Sequence, residues 1–234
     1  MEDLTPSLRA ISGCAPGDPS AQPILTDAQR EQLAALATRV DVRPRVIVYR
    51  EGTPAEHLFV IGAGMVKTFR DLPSGKRRIV AFWYPGDVFG LAERGKYAYT
   101  VQAITATTLY RIPRAPLKDA LLRDGHLQFK FLIKVTHEFR EAQRQKISFM
   151  RRDAVGKVAT FFSMLEQQLG DATVPDDITV PMSRSDIANF LGLSAEAVSR
   201  ATHELIRRRI VAIPDLHTVR ILDRTRFALL VSKM

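Results

Sequence analysis

Glu196 and Arg200 stand four residues apart in a helical stretch, with Ser199 between them, so an acceptor, a hydroxyl and a fork of donors project from one face. An arginine fork matches guanine O6 and N7, and a carboxylate accepts from the cytosine amino group. A serine hydroxyl meets base or phosphate without strong preference. Such a face can read base edges in a major groove. The same spacing also allows a plain i, i+4 ion pair on a solvated helix, which would read nothing.

The surrounding residues decide whether that face can be presented. Ser183 can cap a first helix, Gly192 supplies a turn, and Ser194 caps the helix that carries the three side chains. Ala188 is small enough for two helices to cross steeply, and Ile187, Leu191, Leu193, Val198 and Ala201 supply a shared core. The bland alternative is an ordinary helical hairpin. Beyond it come Arg207-Arg208-Arg209, the run Ile210 to Ile213, a turn at Pro214 to His217 and the run Thr218 to Leu222, which together predict a two-stranded wing. Arg184, Ser194, Arg207, Arg208 and Arg220 are candidate phosphate contacts, which position a protein on double-stranded DNA without reading its sequence. Some of that arginine run is expected to be solvated only.

Upstream the texture differs. Short β-branched and aromatic runs at 46–49, 58–61, 65–69, 78–83 and 107–112, separated by turns at Asp71 to Lys76 and Pro85 to Asp87, predict a β-roll or jelly-roll barrel. Thr26 or Asp27 can cap a short helix before it that runs through Leu33, Leu36 and Ala37, and Arg43-Pro44-Arg45 then breaks the pattern. Gly13 to Pro23 reads as a flexible lead-in. From Pro116 the period turns helical, and Gln128, Leu132, Val135, Phe139, Ala142, Lys146 and Phe149 alternate in steps of four and three. That is one long helix with a seam, expected to pair with its copy in a homodimer through Leu132, Val135, Phe139, Ala142 and Phe149; packing on its own domain is the other reading. A further helix is expected from Val155 to Leu169, stopped by Gly170, with a loop from Asp171 to Asp177.

The fold class expected is therefore α+β. It comprises a flexible segment over 1–24, a sensor-like β-roll over 25–115, a dimerisation helix over 116–152 and a winged helix-turn-helix over 153–234. A formal charge of +9 suits a polyanionic partner, although charge alone does not separate nucleic acid from an anionic surface. The one cysteine, Cys14, can form no internal disulfide, and no basic-then-apolar leader or long apolar run suggests export or membrane insertion. A cytoplasmic protein is the expectation. An oxygenase on the same barrel would need several histidines and a carboxylate on one metal, and His57 is the sole histidine between Val46 and Ile112. No enzyme activity is expected. A non-specific architectural DNA binder would bind palindromic and scrambled duplexes alike.

In its order of parts the chain resembles the CRP/FNR family of bacterial transcription regulators, from about Leu25 onward. Tyr49-Arg50-Glu51-Gly52-Thr53-Pro54-Ala55-Glu56-His57-Leu58-Phe59 and Pro85-Gly86-Asp87-Val88-Phe89-Gly90-Leu91 are similar to the family's cyclic-nucleotide-binding-like barrel. Leu193-Ser194-Ala195-Glu196-Ala197-Val198-Ser199-Arg200 is similar to its FNR and FixK branch. The resemblance implies Glu196, Ser199 and Arg200 as readers of a palindrome of the TTGA(T/C) type, and RNA polymerase as a partner. Relatives that bind cyclic AMP use a glutamate for ribose and an Arg-Ser pair for phosphate, where this chain has Leu91 and Tyr97-Ala98; cyclic AMP is not expected to bind. The cysteines that hold the iron-sulfur cluster of FNR are missing, which excludes that cluster, and Ser183 stands where FixK-like members commonly carry a cysteine. Haem would need an axial ligand such as His57, His126 or Met65 and is not expected either. A regulator with no effector or an unknown one is the reading, and a cyclic-nucleotide- or haem-responsive regulator is the alternative.

Overall fold

The computed structural model describes residues 26–92, 94–150, 153–169, 174 and 176–232. The lead-in, Cys14 and the stop at Gly170 lie outside them. Thr26 accepts from the backbone N–H of Gln29 while the Gln29 side chain accepts from that of Thr26, a reciprocal cap that starts α1 (Asp27–Leu36).

Eight strands follow: β1 (Thr38–Val42), β2 (Ile47–Tyr49), β3 (His57–Ala63), β4 (Val66–Asp71), β5 (Arg77–Trp83), β6 (Val88–Phe89), β7 (Thr100–Ala103) and β8 (Thr107–Pro113). They form two antiparallel four-stranded sheets, ordered β1-β8-β3-β6 and β2-β7-β4-β5. Alternation along β3 and β8 sets both faces. Phe59, Ile61 and Leu109 pack with Val66, Phe89 and Val101 between the sheets, whereas Leu58, Val60, Tyr110 and Ile112 pack on Leu33, Leu117 and Leu127 from the helices. Gly64 has a φ of +81°, and a Cβ there would sit 2.2 Å from the Ala106 carbonyl oxygen, so no side chain fits at that crossing. The sequence pattern did not show β1, β6 or β7. β1 is a largely exposed edge, and β6 has only two residues, too few for a period to register.

The helical stretch expected as one element over 116–152 is two helices, α2 (Arg114–Arg123) and α3 (Gly125–Met150). Asp124 makes the break: its carboxylate accepts from the Leu127 N–H at 3.0 Å and from the Gln29 side chain at 3.0 Å, which starts a new helix and ties it to α1.

The chain divides into two compact units, Met1–Arg140 and Glu141–Met234, with the division inside α3. In the second unit Asp153 accepts from the Gly156 N–H at 2.7 Å and begins α4 (Ala154–Leu169), which buries Val158, Ala159, Phe161, Phe162 and Leu165. Then come β9 (Asp177–Thr179), α5 (Arg184–Leu191), α6 (Ala195–Arg207), β10 (Val211–Asp215), β11 (Thr218–Ile221) and α7 (Arg224–Ser232). Asp177, expected at the end of a loop, instead opens β9, which adds a third strand to the wing in the order β10-β11-β9. Among the described residues no helix is long and apolar enough to cross a membrane.

Candidate nucleic-acid interface

Local capping builds the helix-turn-helix. Ser183 accepts from the Asp186 N–H, Gly192 turns the chain at a φ of 68°, and Ser194 accepts from the Ala197 N–H at 3.1 Å. Ile187, Ala188, Leu191, Val198 and Ala201 are buried where α5 and α6 meet, while Leu193 is only half-buried at the turn. Removing the cap should register directly. Ser194→Ala is expected to destabilise the protein by about 1 kcal/mol, seen as a lower denaturant midpoint with unchanged slope.

The structure brings the predicted readers onto the first turns of α6, with Glu196 and Arg200 exposed and Ser199 half-buried. The Glu196 carboxyl is held below its ordinary range by its own backbone N–H first, then by the Ser194 hydroxyl, with the Arg200 charge a smaller influence. It is anchored to the helix start and stays an ionised acceptor, and among the described residues it forms no close ion pair with Arg200. The Arg184 guanidinium donates to the Ser199 hydroxyl at 3.4 Å, so one candidate phosphate contact reaches a candidate reader across the turn. His203, one turn beyond Ser199 and exposed, was not singled out from sequence; its ring nitrogen Nδ1 lies 2.8 Å from the Ser199 carbonyl.

The other candidate phosphate contacts are already engaged. Arg220 grips Asp177 through Nε at 2.6 Å and Nη2 at 2.8 Å, across the β11–β9 pairing. Arg207 grips Glu204 in the same two-pronged way, and Arg208 Nε donates to the same carboxylate at 2.7 Å. Those bonds, Arg207 first and Arg208 second, pull the Glu204 pKa from 4.5 down to about 2. A carboxylate depressed on folding stabilises above its unfolded pKa, and that stabilisation fades as pH falls from 4.5 toward about 2. Glu204→Gln is expected to flatten the pH dependence of unfolding in that acid window. It should also tighten binding to any duplex and steepen its salt dependence, because two guanidiniums are released to phosphate; salt titrations of DNA affinity would show this.

Along α3 the first unit leaves Leu132 and Phe139 exposed at 59% and 62%, beside Phe129 at 63% and Ile133 at 42%. Val135 is half-buried and turns with Phe131 to a pocket in the roll. In the second unit Ala142 is exposed, and the Phe149 ring packs edge-on against Phe190 at 5.7 Å. The outer apolar stripe thus runs through Phe129 and Ile133, which the counted seam omitted.

The pocket beside Phe131 and Val135 holds about 230 Å³ and is lined by Trp83, Phe89, Leu91, Tyr97 and Tyr99 among others, with no charged side chain among the described residues of its lining. Tyr97 stacks on Tyr49 at 3.6 Å between ring centroids and donates to the His57 carbonyl at 2.9 Å. At the pocket's edge the Arg70 guanidinium donates to the Ala98 carbonyl at 2.7 Å and lies over the Tyr99 ring, while Leu91 and Tyr97 supply neither a ribose acceptor nor a phosphate charge. His57 opens β3, Met65 is buried in the turn between β3 and β4, and His126 is exposed on α3. Among the described residues no group of three or more His, Cys, Asp or Glu can hold a metal.

Comparison with known proteins agrees with this architecture. Residues 39–124 match the cyclic nucleotide-binding domain family and residues 156–230 the Crp-like helix-turn-helix domain family. The chain is 32% identical to the transcriptional activatory protein AadR of Rhodopseudomonas palustris, over 87% of this chain and 85% of that protein. It is 28% identical to the nitrogen fixation regulation protein FixK of Azorhizobium caulinodans, over 90% and 92% of the two chains. The solved structure of FixK2 from Bradyrhizobium japonicum superposes with a TM-score of 0.76 at 31% identity, covering 83% of this chain and 96% of that one. A roll, a capped helix-turn-helix and a wing in this order, shared with relatives over most of their length, make the chain a DNA-binding transcription regulator of the CRP/FNR family, in its FixK-like branch.

Proposed function

We propose that the chain acts as a homodimer that reads an inverted repeat of the TTGA type, with Glu196, Ser199 and Arg200 on the base edges and Arg184 and Ser194 on the flanking phosphates. One observation carries this reading: the three side chains share a solvent-facing turn of a helix capped at its start by Ser194, the end that enters the major groove in this motif. Arg207, Arg208 and Arg220 exchange part of their pairing with Glu204 and Asp177 for phosphate. Pairing of two copies along Leu132 and Phe139 sets the half-sites about one helical turn, roughly 34 Å, apart. The domain limits that follow are a sensor-like roll over 25–115, a dimerising helical region over 116–152 and a DNA-binding domain over 153–234.

The names of AadR and FixK, an activatory and a regulation protein, support transcription activation by this chain, with RNA polymerase as the partner contacted at the promoter. Binding requires no cyclic nucleotide, iron-sulfur cluster or haem. Competition between a TTGA inverted repeat and a scrambled duplex of equal length, at moderate salt and without added effector, tests the reading. The repeat is expected to bind about a thousandfold more tightly. Equal affinity for the two duplexes would refute it.

A further inference from the structure

The edge strands β1 and β2 each end one sheet of the roll, and between them the sheets part to leave an open cleft of about 930 Å³. Its walls are apolar, with Val40, Val42 and Val48 in front of the buried Phe59 and Leu109. Three exposed arginines, Arg43, Arg50 and Arg111, line the same cleft. Among the described residues none of these three has a carboxylate within ion-pair distance. The one acid of the lining, Asp41, is engaged by the Thr108 hydroxyl at 2.7 Å and by Arg39 at 3.3 Å. His57 also faces the cleft, and burial first and the Arg111 charge second hold its pKa below the usual histidine value, so its ring is a neutral hydrogen-bonding group near pH 7. The stacked Tyr49 and Tyr97 border both this cleft and the smaller aromatic pocket.

Both halves of that lining constrain the occupant. A small polar anion would satisfy the arginines and leave the valine wall wet, whereas a plain hydrocarbon would cover the wall and do nothing for the guanidiniums. The size suits an organic molecule rather than a single ion. From the cationic rim over an apolar wall we infer that the cleft is a ligand site of the roll, taking an amphipathic carboxylate with its head on Arg50 and Arg111 and its apolar body along Val40, Val48 and Leu109.

Calorimetric titration of the full chain with decanoate tests this, with decan-1-ol as the headless control and acetate as the tailless one. Decanoate is expected to bind saturably, once per chain, and both controls at least about tenfold more weakly. The double variant Arg50→Gln, Arg111→Gln, checked by thermal melting to be folded, should weaken decanoate at least about tenfold while leaving discrimination between duplexes intact. Absence of saturable decanoate binding, equal binding of decan-1-ol, or full affinity in the folded double variant would each overturn the site. The duplex competition does not depend on the cleft, so failure of one proposal is distinguishable from failure of the other.

Discussion

Phe139→Asp is expected to give a folded monomer that binds an inverted repeat about a hundred- to ten-thousand-fold more weakly than the parent chain, because two linked reading helices become two independent ones. The ring is 62% exposed within one chain, so its removal takes little from the fold of the single chain. Paired copies change that accounting. Each would place a carboxylate in an apolar seam formed with Leu132, Phe129 and Ile133, where a charge without a partner is strongly disfavoured and meets its own copy. Sedimentation analysis alongside DNA titration separates assembly from reading. A dimer that persists in the variant at the parent's concentration would remove the seam from the mechanism.

Arg200→Ala carries the second large effect, about 1 to 3 kcal/mol at the guanine position of each half-site, with specificity relaxed there and kept elsewhere. Among the described residues no hydrogen bond or ion pair engages the Arg200 guanidinium, so its whole fork is free for a base. Arg208 provides the contrast. Its Nε is held by Glu204 near the C-terminal end of α6, away from the turns that carry Glu196 and Arg200, and the side chain is assigned to phosphate, so Arg208→Ala should weaken every duplex by a similar factor and lower the salt slope by about one unit. Titrations against duplexes changed one base pair at a time would show the two patterns. Unchanged discrimination in Arg200→Ala would mean that α6 lies in the groove in another orientation.

How much could be read before the structure depended on how far apart the determinants lie in the chain. The helix-turn-helix was legible because each cap acts over three residues, Ser183 on Asp186 and Ser194 on Ala197, and because Gly192 and Ala188 meet steric demands set by their neighbours. The main strands of the roll were legible from alternation, and the resemblance to the CRP/FNR family rested on contiguous phrases. Short strands escaped: β1, β6, β7 and β9 have two to five residues each, too few for alternation to stand out from the surrounding chain. The break at Asp124 escaped too, since the Gln29 that holds it lies 95 residues earlier.

By itself, the sequence determined the capped helix α6 and the side chains on its outer face, because hydrogen bonds between near neighbours and a 3.6-residue period need no distant partner. Only the tertiary structure decided that Arg220 is held, since it meets Asp177 from 43 positions away, and which side of α3 is left bare after Phe131 and Val135 turn to the roll. It also decided that a cleft opens between β1 and β2, because a space between sheets belongs to no segment of the chain.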